Sequence, residues 1–241
     1  MDFELNDAIS PVFKSKTSIE ITCGNALNFP QNYSSLLSVL SDIEVKHANQ
    51  FIPQIVKHTY VVSHALLRIS LSDKLGIDPS QLRLFQEDFV KPRLENAPYD
   101  FNLTHSGEYF AFVISDYEKL KVGIDIEKLD ALKDFNSICD AYFHEQERAY
   151  FYQHDISKKE REVRFFEIWT RKEAYLKMTG EGLINDLNRI NILSYNTQGE
   201  ASSDNKTVIF TFRNQHLVLS VSMTDDMNIN IKTASEQNLN L

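Results

Sequence analysis

The stretch 122–127, with the sequence VGIDIE, alternates apolar and other residues with the two-residue period of a half-buried strand. Asp125 and Glu127 therefore project from one face of that strand, roughly 6.5–7 Å apart along the backbone. Two carboxylates at this spacing can approach one hard cation. The alternative is a strand whose polar face is exposed to solvent and has no function. An isolated Asp-x-Glu pair favours that alternative.

A second segment, about forty residues later, favours a cation site over a strand face that is merely exposed to solvent. Residues 157–178 contain no Gly or Pro and are rich in Lys, Glu, Arg and apolar residues, which predicts a helix ending at Gly180. Glu173 and Lys177 are four residues apart and share one helix face. They form either a surface ion pair worth about 0.3–0.5 kcal/mol or a functional pair. In the functional case, the carboxylate binds metal or takes a proton and the ammonium meets a phosphate.

Magnesium prefers oxygen ligands and usually binds through one or two carboxylates plus substrate phosphates. Asp125, Glu127 and Glu173 suit such a site, so we predict that they hold Mg²⁺ beside a diphosphate. The chain offers no Cys/His spacing that is typical of zinc.

The two segments, VGIDIEK and WTRKEAYLK, closely resemble the signature motifs of the 4'-phosphopantetheinyl transferases. Further matches follow in the right order across about residues 57–183. They are SHALLR at 63–68, VKP at 90–92 with Val90 where glycine is usual, FNLTHSG at 101–107 with Thr104 where serine is usual, and YFHEQE at 142–147.

The resemblance implies a role for each motif residue. Asp125, Glu127 and Glu173 would hold magnesium against the coenzyme A diphosphate. Glu173 would also draw the proton from the acceptor serine, directly or through water. Lys177 would neutralise or protonate the departing 3',5'-ADP.

The resemblance also implies a nucleotide-binding set upstream of the two motifs. It consists of Lys91, Arg93, Thr104, His105 and Ser106, with His105, Ser106 and the basic residues meeting the 3'-phosphate and the diphosphate. Without its flanking motif, His105 would read as a turn residue that makes a local hydrogen bond.

The length of 241 residues suits the double-length members of this family, the type named for the surfactin synthetase activator. The implied fold is α+β, with two similar α/β subdomains side by side in one chain and related by a pseudo-twofold axis. We expect subdomains at 1–118 and 119–233 and a loose tail at 234–241. No internal repeat is visible in the sequence, so the duplication rests on the resemblance alone.

The composition limits the classes of partner that the chain is expected to bind. A net charge of −9 argues against a general nucleic-acid binder. No apolar run is long enough for a membrane span, and no signal-peptide pattern opens the chain. With only two cysteines, no disulfide framework is expected. The chain is therefore predicted to be cytoplasmic and to bind neither nucleic acid nor membrane. We also expect it to be a monomer.

Basic residues precede the second motif on the same predicted helix. They provide either a docking surface for an acidic partner or a solvated face balanced by Glu160, Glu162 and Glu167. The basic residues are Lys158, Lys159, Arg161, Arg164, Arg171 and Lys172.

The predicted activity is transfer of 4'-phosphopantetheine from coenzyme A to a serine of an apo carrier protein or carrier domain. It would be Mg²⁺-dependent, release 3',5'-ADP and serve fatty-acid, polyketide or nonribosomal peptide synthesis. Two alternatives use the same residues. One is a magnesium-dependent hydrolase of nucleotide diphosphates, and the other is a non-catalytic module that binds coenzyme A or a carrier protein.

Overall fold

The computed structural model describes residues 18–30, 34–85, 91–95, 99–115, 120–129, 135–180, 182, 187–195, 207–224 and 228–235. It has a mixed α+β fold, as predicted. The helices are α1 (Ser34–Ser38), α2 (Asp42–Ala48), α3 (Gln54–Leu75), α4 (Phe135–Tyr142), α5 (Glu145–Phe151) and α6 (Lys158–Thr179). Short 3-10 turns include Pro79–Gln81, Leu187–Arg189 and Ile192–Ser194.

The strands form two main sheets and one short ribbon. The first sheet has the order β4-β5-β1-β9, the second has the order β6-β8-β7, and β2 pairs with β3. The strands are β1 (Ser18–Asn25), β2 (Leu84–Phe85), β3 (Arg93–Leu94), β4 (Phe101–Ser106), β5 (Tyr109–Ile114), β6 (Val122–Lys128), β7 (Val208–Arg213), β8 (Leu217–Met223) and β9 (Asn228–Thr233).

Three apolar clusters arrange these elements as four layers: α3, the first sheet, the second sheet and α6. Along β5, Phe110 and Phe112 pack toward α3, whereas Ala111 and Val113 pack toward the second sheet. Strand β8 alternates in the same manner, because Leu219 faces the shared core between the sheets while neighbouring residues face α6. The period of two in each strand therefore gives each sheet two buried faces.

Helix α6 approaches the second sheet unusually closely at Gly123. A Cβ atom at this position would overlap the carbonyl oxygen of Ala174 and the backbone nitrogen of Met178. Only glycine therefore lets the helix lie directly against β6. Because Asp125 is two residues further along the same face, this close approach brings the helix motif against the strand motif.

The last described strand returns to the first sheet. Strand β9, which the predicted division assigned to the second subdomain, pairs in parallel with β1. Ala234, the first residue of the predicted loose tail, is buried, and its N–H donates to the Cys23 carbonyl oxygen over 2.8 Å. The division at 118/119 stays a prediction, and residues 116–119 and 236–241 lie outside the described residues.

None of the helices in the described part of the chain combines the length and the apolar character that crossing a membrane requires.

Candidate active site

A row of polar side chains on and beside β4 covers the free edge of β6. We call Asp100, Asn102, Thr104 and Ser106 the polar row. Its oxygen atoms accept hydrogen bonds from the N–H groups of alternate β6 residues. The four donor–acceptor distances are 2.8 Å from Val122, 2.9 Å from Ile124, 3.4 Å from Ile126 and 3.1 Å from Lys128. The two sheets are thus joined by side chains where backbone pairing would otherwise be needed.

Two members of the polar row also orient the carboxylates of the strand motif. The Thr104 hydroxyl donates to Oδ1 of Asp125 over 3.0 Å. The Ser106 hydroxyl donates to Oε2 of Glu127 over 2.7 Å. The predicted nucleotide-binding residues Thr104 and Ser106 therefore have a structural task at the strand motif, and their contact with a nucleotide stays a prediction.

Asp125 is the most enclosed group of the site, with 4% of its surface exposed. Lys177 of α6 donates to Oδ1 of Asp125 over 2.5 Å, so the two motifs meet in an ion pair. Burial raises the pKa of Asp125, while Lys177 and Thr104 oppose that rise. Oδ2 is buried and has no hydrogen-bond partner within the described residues.

Glu127 and Glu173 complete a cluster of carboxylates that repel one another. Burial raises the pKa of Glu127 to about 7, and the nearby charges of Asp125 and Glu173 add to the rise. Burial also raises the pKa of Glu173, and again Asp125 adds to the effect. Such a cluster favours a cation or a proton among its oxygens.

The residues of this carboxylate cluster fit magnesium in part. Within the described ranges, no set of three or more His, Cys, Asp or Glu side chains is arranged to hold a metal ion by itself. The donor chemistry nevertheless suits Mg²⁺, because Asp125 presents a buried oxygen with no partner and the neighbouring carboxylates carry raised pKa values. A partial set of this kind agrees with a metal that takes its remaining ligands from water and substrate phosphates. The metal assignment stays a prediction.

A cavity of about 760 Å³ opens beside this cluster. Thr104, His105 and Lys177 line its end nearest the carboxylates. Most of its wall comes from the first half of the chain and includes charged, aromatic and apolar side chains. These residues are Ser41, Ile43, Glu44, His47, Tyr60, His64, Leu67, Arg68, Leu82, Arg83, Leu84, Phe85, Pro92, Phe101 and Leu103.

The structure does not bring all the predicted nucleotide contacts to this cavity. The Lys91 ammonium donates to Oδ2 of Asp100 and to the carbonyl oxygen of Val122, each over 2.6 Å. Its side chain is 8% exposed and is not part of the cavity wall. Arg93 lies on β3 and is also outside the wall. Val90 lies outside the described residues.

Two residues that the sequence did not single out for the site hold α6 in place. Lys172 and Glu147 form a fully buried ion pair with a distance of 2.8 Å. Lys172 also donates to the carbonyl oxygens of Leu187 and Ile190, while Glu147 accepts from the backbone N–H of Ile192. Lys172 directly precedes Glu173, so the pair fixes the helix at the point where the motif carboxylate emerges. No pattern of charge in the sequence reveals this pair, because a buried lysine looks the same in sequence as a surface lysine.

These hydrogen bonds also change the interpretation of the predicted basic surface. Lys172 is buried, and Arg171 is buried and donates to the carbonyl oxygens of Ile192 and Tyr195. Arg164 bonds Glu160, Gln153 and the Tyr150 carbonyl oxygen. Arg171 and Lys172 are therefore structural, and the prediction that they belong to an exposed face was wrong, because both are buried and bind internal carbonyl oxygens or Glu147.

Comparison with known proteins agrees with the motifs. Residues 121–226 match the model of the 4'-phosphopantetheinyl transferase superfamily. The 4'-phosphopantetheinyl transferase HetI of Nostoc sp. is 32% identical over 152 residues, which cover 61% of this chain and 62% of that protein. The 4'-phosphopantetheinyl transferase gsp of Aneurinibacillus migulanus is 30% identical over 153 residues, which cover 63% of this chain and 61% of that protein. The 4'-phosphopantetheinyl transferase Sfp of Bacillus subtilis is 27% identical over 148 residues, which cover 61% of this chain and 63% of that protein.

The matched region thus spans somewhat less than two thirds of the length of these curated relatives. The family model covers both carboxylate motifs, with Asp125, Glu127, Glu173 and Lys177. Motif order, site geometry and these similarities agree: over residues 121–226 the chain matches the 4'-phosphopantetheinyl transferase superfamily.

Proposed function

We propose that this protein transfers 4'-phosphopantetheine from coenzyme A to a serine of an apo carrier protein or carrier domain, with Mg²⁺ as cofactor and 3',5'-ADP as the second product. The observation that carries the proposal is the meeting of Lys177 with Asp125 at the end of the cavity. This contact joins the two motifs, because the ammonium of Lys177, which lines the cavity, meets the buried carboxylate of Asp125.

The proposed reaction forms one phosphorus–oxygen bond and breaks another. The serine Oγ attacks the phosphorus atom that bears the pantetheine arm, and the bond from that phosphorus to the 3',5'-ADP oxygen breaks. The serine proton passes to a carboxylate. Mg²⁺ bound through Asp125, Glu127 and Glu173 would supply charge neutralisation at the diphosphate.

The chain's own groups then have separate tasks. Glu173 is the proposed base, on an element whose position is fixed by the buried Lys172–Glu147 pair. Glu127 is a competing base, because a carboxylate with a pKa of about 7 is well matched to proton transfer near neutral pH. Lys177 donates to the departing phosphate, and the polar row holds the strand carboxylates in place.

The direct test is the intact mass of a panel of apo carrier proteins after incubation with this protein, coenzyme A and Mg²⁺. The expected result is a gain of one phosphopantetheine unit on at least one carrier, and loss of that gain on chelation. Cleavage of coenzyme A without carrier modification would support a hydrolase in its place. Binding of coenzyme A with no turnover on the whole panel would support a non-catalytic module. We further propose that the protein acts as a monomer in the cytoplasm.

A further inference from the structure

An ion pair joins the two sheets at the residue where β6 begins. The Lys91 ammonium donates to Oδ2 of Asp100 and to the carbonyl oxygen of Val122, each over 2.6 Å. The N–H of Val122 donates to the same Oδ2 over 2.8 Å. Because the N–H and C=O groups of one strand residue point to the same side, the ion pair bonds both groups that Val122 presents at the free edge of β6. We call Lys91, Asp100 and Val122 the junction.

The junction is anchored in the first sheet through Asp100. The N–H of Asp100 donates to the Ser115 hydroxyl over 3.0 Å, and the N–H of Ser115 donates to the Asp100 carbonyl oxygen over 2.8 Å. Ser115 is fully buried. Burial lowers the pKa of Lys91, whereas the charge and the hydrogen bond of Asp100 oppose that change. The Lys91 ammonium is therefore held against a carboxylate whose own backbone is fixed.

The junction also lies between the cavity and the strand motif. Lys91 and Asp100 directly precede Pro92 and Phe101, which both line the cavity. Further along the edge of β6, the polar row supplies acceptors for N–H groups, and at the junction Lys91 adds a donor for a carbonyl oxygen. The junction therefore connects the cavity wall in the first sheet to the strand that carries the carboxylates.

The position of Val122 determines how these carboxylates meet α6. Gly123, the next residue, is where the helix lies directly against the strand, since a Cβ atom there would overlap the Ala174 carbonyl oxygen. Asp125 follows two residues later and pairs with Lys177 of the helix. A shift of β6 at Val122 would thus move the strand carboxylates relative to the helix motif.

We propose that Lys91 is a positioning residue of the metal site, which acts through Val122 to hold Asp125 and Glu127 in place and does not contact the nucleotide. This inference rests on the proposed function, because it takes the two carboxylates as metal ligands. It departs from the role that the resemblance implies for Lys91, which is a contact with the phosphates. The Lys91 side chain is 8% exposed, and its ammonium would have to leave both of its partners to reach a phosphate.

The variant Lys91→Met tests the proposal, because methionine keeps the apolar stem but cannot donate to Asp100 or Val122. Mn²⁺, which carboxylates also bind, is titrated alone, and its free concentration is measured by electron paramagnetic resonance. The variant should bind Mn²⁺ about 10- to 100-fold more weakly, the usual effect of losing a group that orients metal ligands. Calorimetry without metal should show unchanged binding of coenzyme A.

Two further variants and one further measurement complete the comparison. Lys91→Arg, which can donate to both partners, should recover most of the Mn²⁺ affinity. Lys57→Met is the matched control and should leave it unchanged, because Lys57 lies on α3, donates to Asn49 and is outside the cavity wall. Amide hydrogen exchange without metal should be faster at 122–128 in Lys91→Met and unchanged across α3, which also reports that the variant is folded.

Weaker binding of coenzyme A with unchanged Mn²⁺ affinity would overturn the proposal and return Lys91 to the phosphates. An equal loss for both ligands, or no loss for either, would also overturn it. If Lys91→Met does not fold, Asp100→Asn takes its place: weaker Mn²⁺ binding supports the proposal, and unchanged binding overturns it. Failure of the unmodified protein to modify any carrier, with the expected Mn²⁺ results, would instead refute the proposed function alone.

Discussion

Helices α3 and α6 are each 22 residues long and end at a glycine in the left-handed conformation. The fifteenth residue of each is a buried cation, Arg68 in α3 and Lys172 in α6. Each cation pairs with a glutamate in the first turn of a short preceding helix, Glu44 or Glu147, and that glutamate also closes a capping box. Each cation further donates to carbonyl oxygens at a 3-10 turn that follows its helix. The two halves therefore share one arrangement, in which a buried cation of the long helix binds a glutamate of the preceding helix and carbonyl oxygens of a following turn. We call this arrangement the clamp, and its presence in both halves supports their predicted similarity.

The clamps differ in what surrounds the glutamate. Glu147 is fully buried, whereas the side chain of Glu44 is 12% exposed, lines the cavity and holds His64 as well as Arg68. In the second half, the residues exposed at the site are the neighbours of the clamp on α6, Glu173 and Lys177. Under the proposed function, the first half would provide a wall for the ligand and the second half would provide the groups for chemistry.

The strongest expected effect is in the second half. Asp125→Asn keeps the shape of the side chain but removes the charge that Lys177 and a metal would share, so it should abolish carrier modification. Because burial opposes the charge of Asp125, the variant should unfold at the same temperature as the unmodified protein or higher. Intact-mass assays and thermal denaturation measure the two outcomes. Full activity of Asp125→Asn at unchanged Mg²⁺ would remove this residue from the metal site.

Single-turnover rates distinguish the two candidate bases. Glu173→Gln keeps an oxygen ligand but cannot take the serine proton, so the chemical step should slow by roughly 10²–10⁴-fold. Glu127→Gln is the matched comparison, because its pKa of about 7 makes it the competing base. A slowing of less than about tenfold in Glu173→Gln, with a larger effect in Glu127→Gln, would transfer the role to Glu127.

We expect the two clamps to lose unequal amounts of stability when their glutamates are replaced by glutamine. Glu147→Gln leaves Lys172 buried without its anion, which typically destabilises by about 3–5 kcal/mol. Glu44→Gln should cost less, because the side chain of Glu44 is partly open to the cavity and Arg68 keeps its bonds to three carbonyl oxygens. Urea denaturation measures both free energies of unfolding. Equal losses would contradict the distinction between a sealed clamp and an open one.

The smallest predicted effect is a pH dependence of stability. The pKa of Glu127 is raised from 4.5 to about 7 in the folded protein, so the folded state holds this proton more tightly than the unfolded state. Without metal, the free energy of unfolding should therefore fall as pH rises from about 4.5 to about 7 and level off above that. The raised pKa bounds the contribution of Glu127 at roughly 3 kcal/mol.

Glu127→Gln should remove this contribution, so the variant should be more stable than the unmodified metal-free protein at pH 8 and not at pH 4. Chemical denaturation at a series of pH values, with chelator present, gives the difference between the two proteins. A difference that does not change with pH would show that Glu127 titrates in the folded state as it does in the unfolded state.

Part of the fold was accessible from periodicity and from helix-ending signals. The predicted strand at β6 and the predicted helix ending at Gly180 are confirmed. Local pattern determines these elements, because their apolar spacing and glycine caps lie within each segment. The parallel pairing of β9 with β1 joins residues about 210 positions apart, and no local signal specifies it.

The site was predictable only in part for the same reason. The two motifs predicted that Asp125 and Lys177 belong to one site, whereas their direct contact depends on the close approach of α6 to β6 at Gly123. By contrast, the capture of Lys91 by Asp100 and the buried pair of Lys172 with Glu147 depend on which charged side chains the tertiary structure encloses. A sequence shows the charge of a lysine but not whether it meets solvent or a buried partner.

The polar row has a consequence for self-association. An uncovered strand edge is a template on which another copy of a chain can add a strand, and proteins must protect such edges to avoid aggregation. Here the edge of β6 is covered by hydroxyl, amide and carboxylate groups, two of which also hold Asp125 and Glu127. The requirements of solubility and of the site therefore fall on the same residues, Thr104 and Ser106. Changes made there to alter activity would also uncover a strand, and their first visible result would be loss of soluble protein during expression.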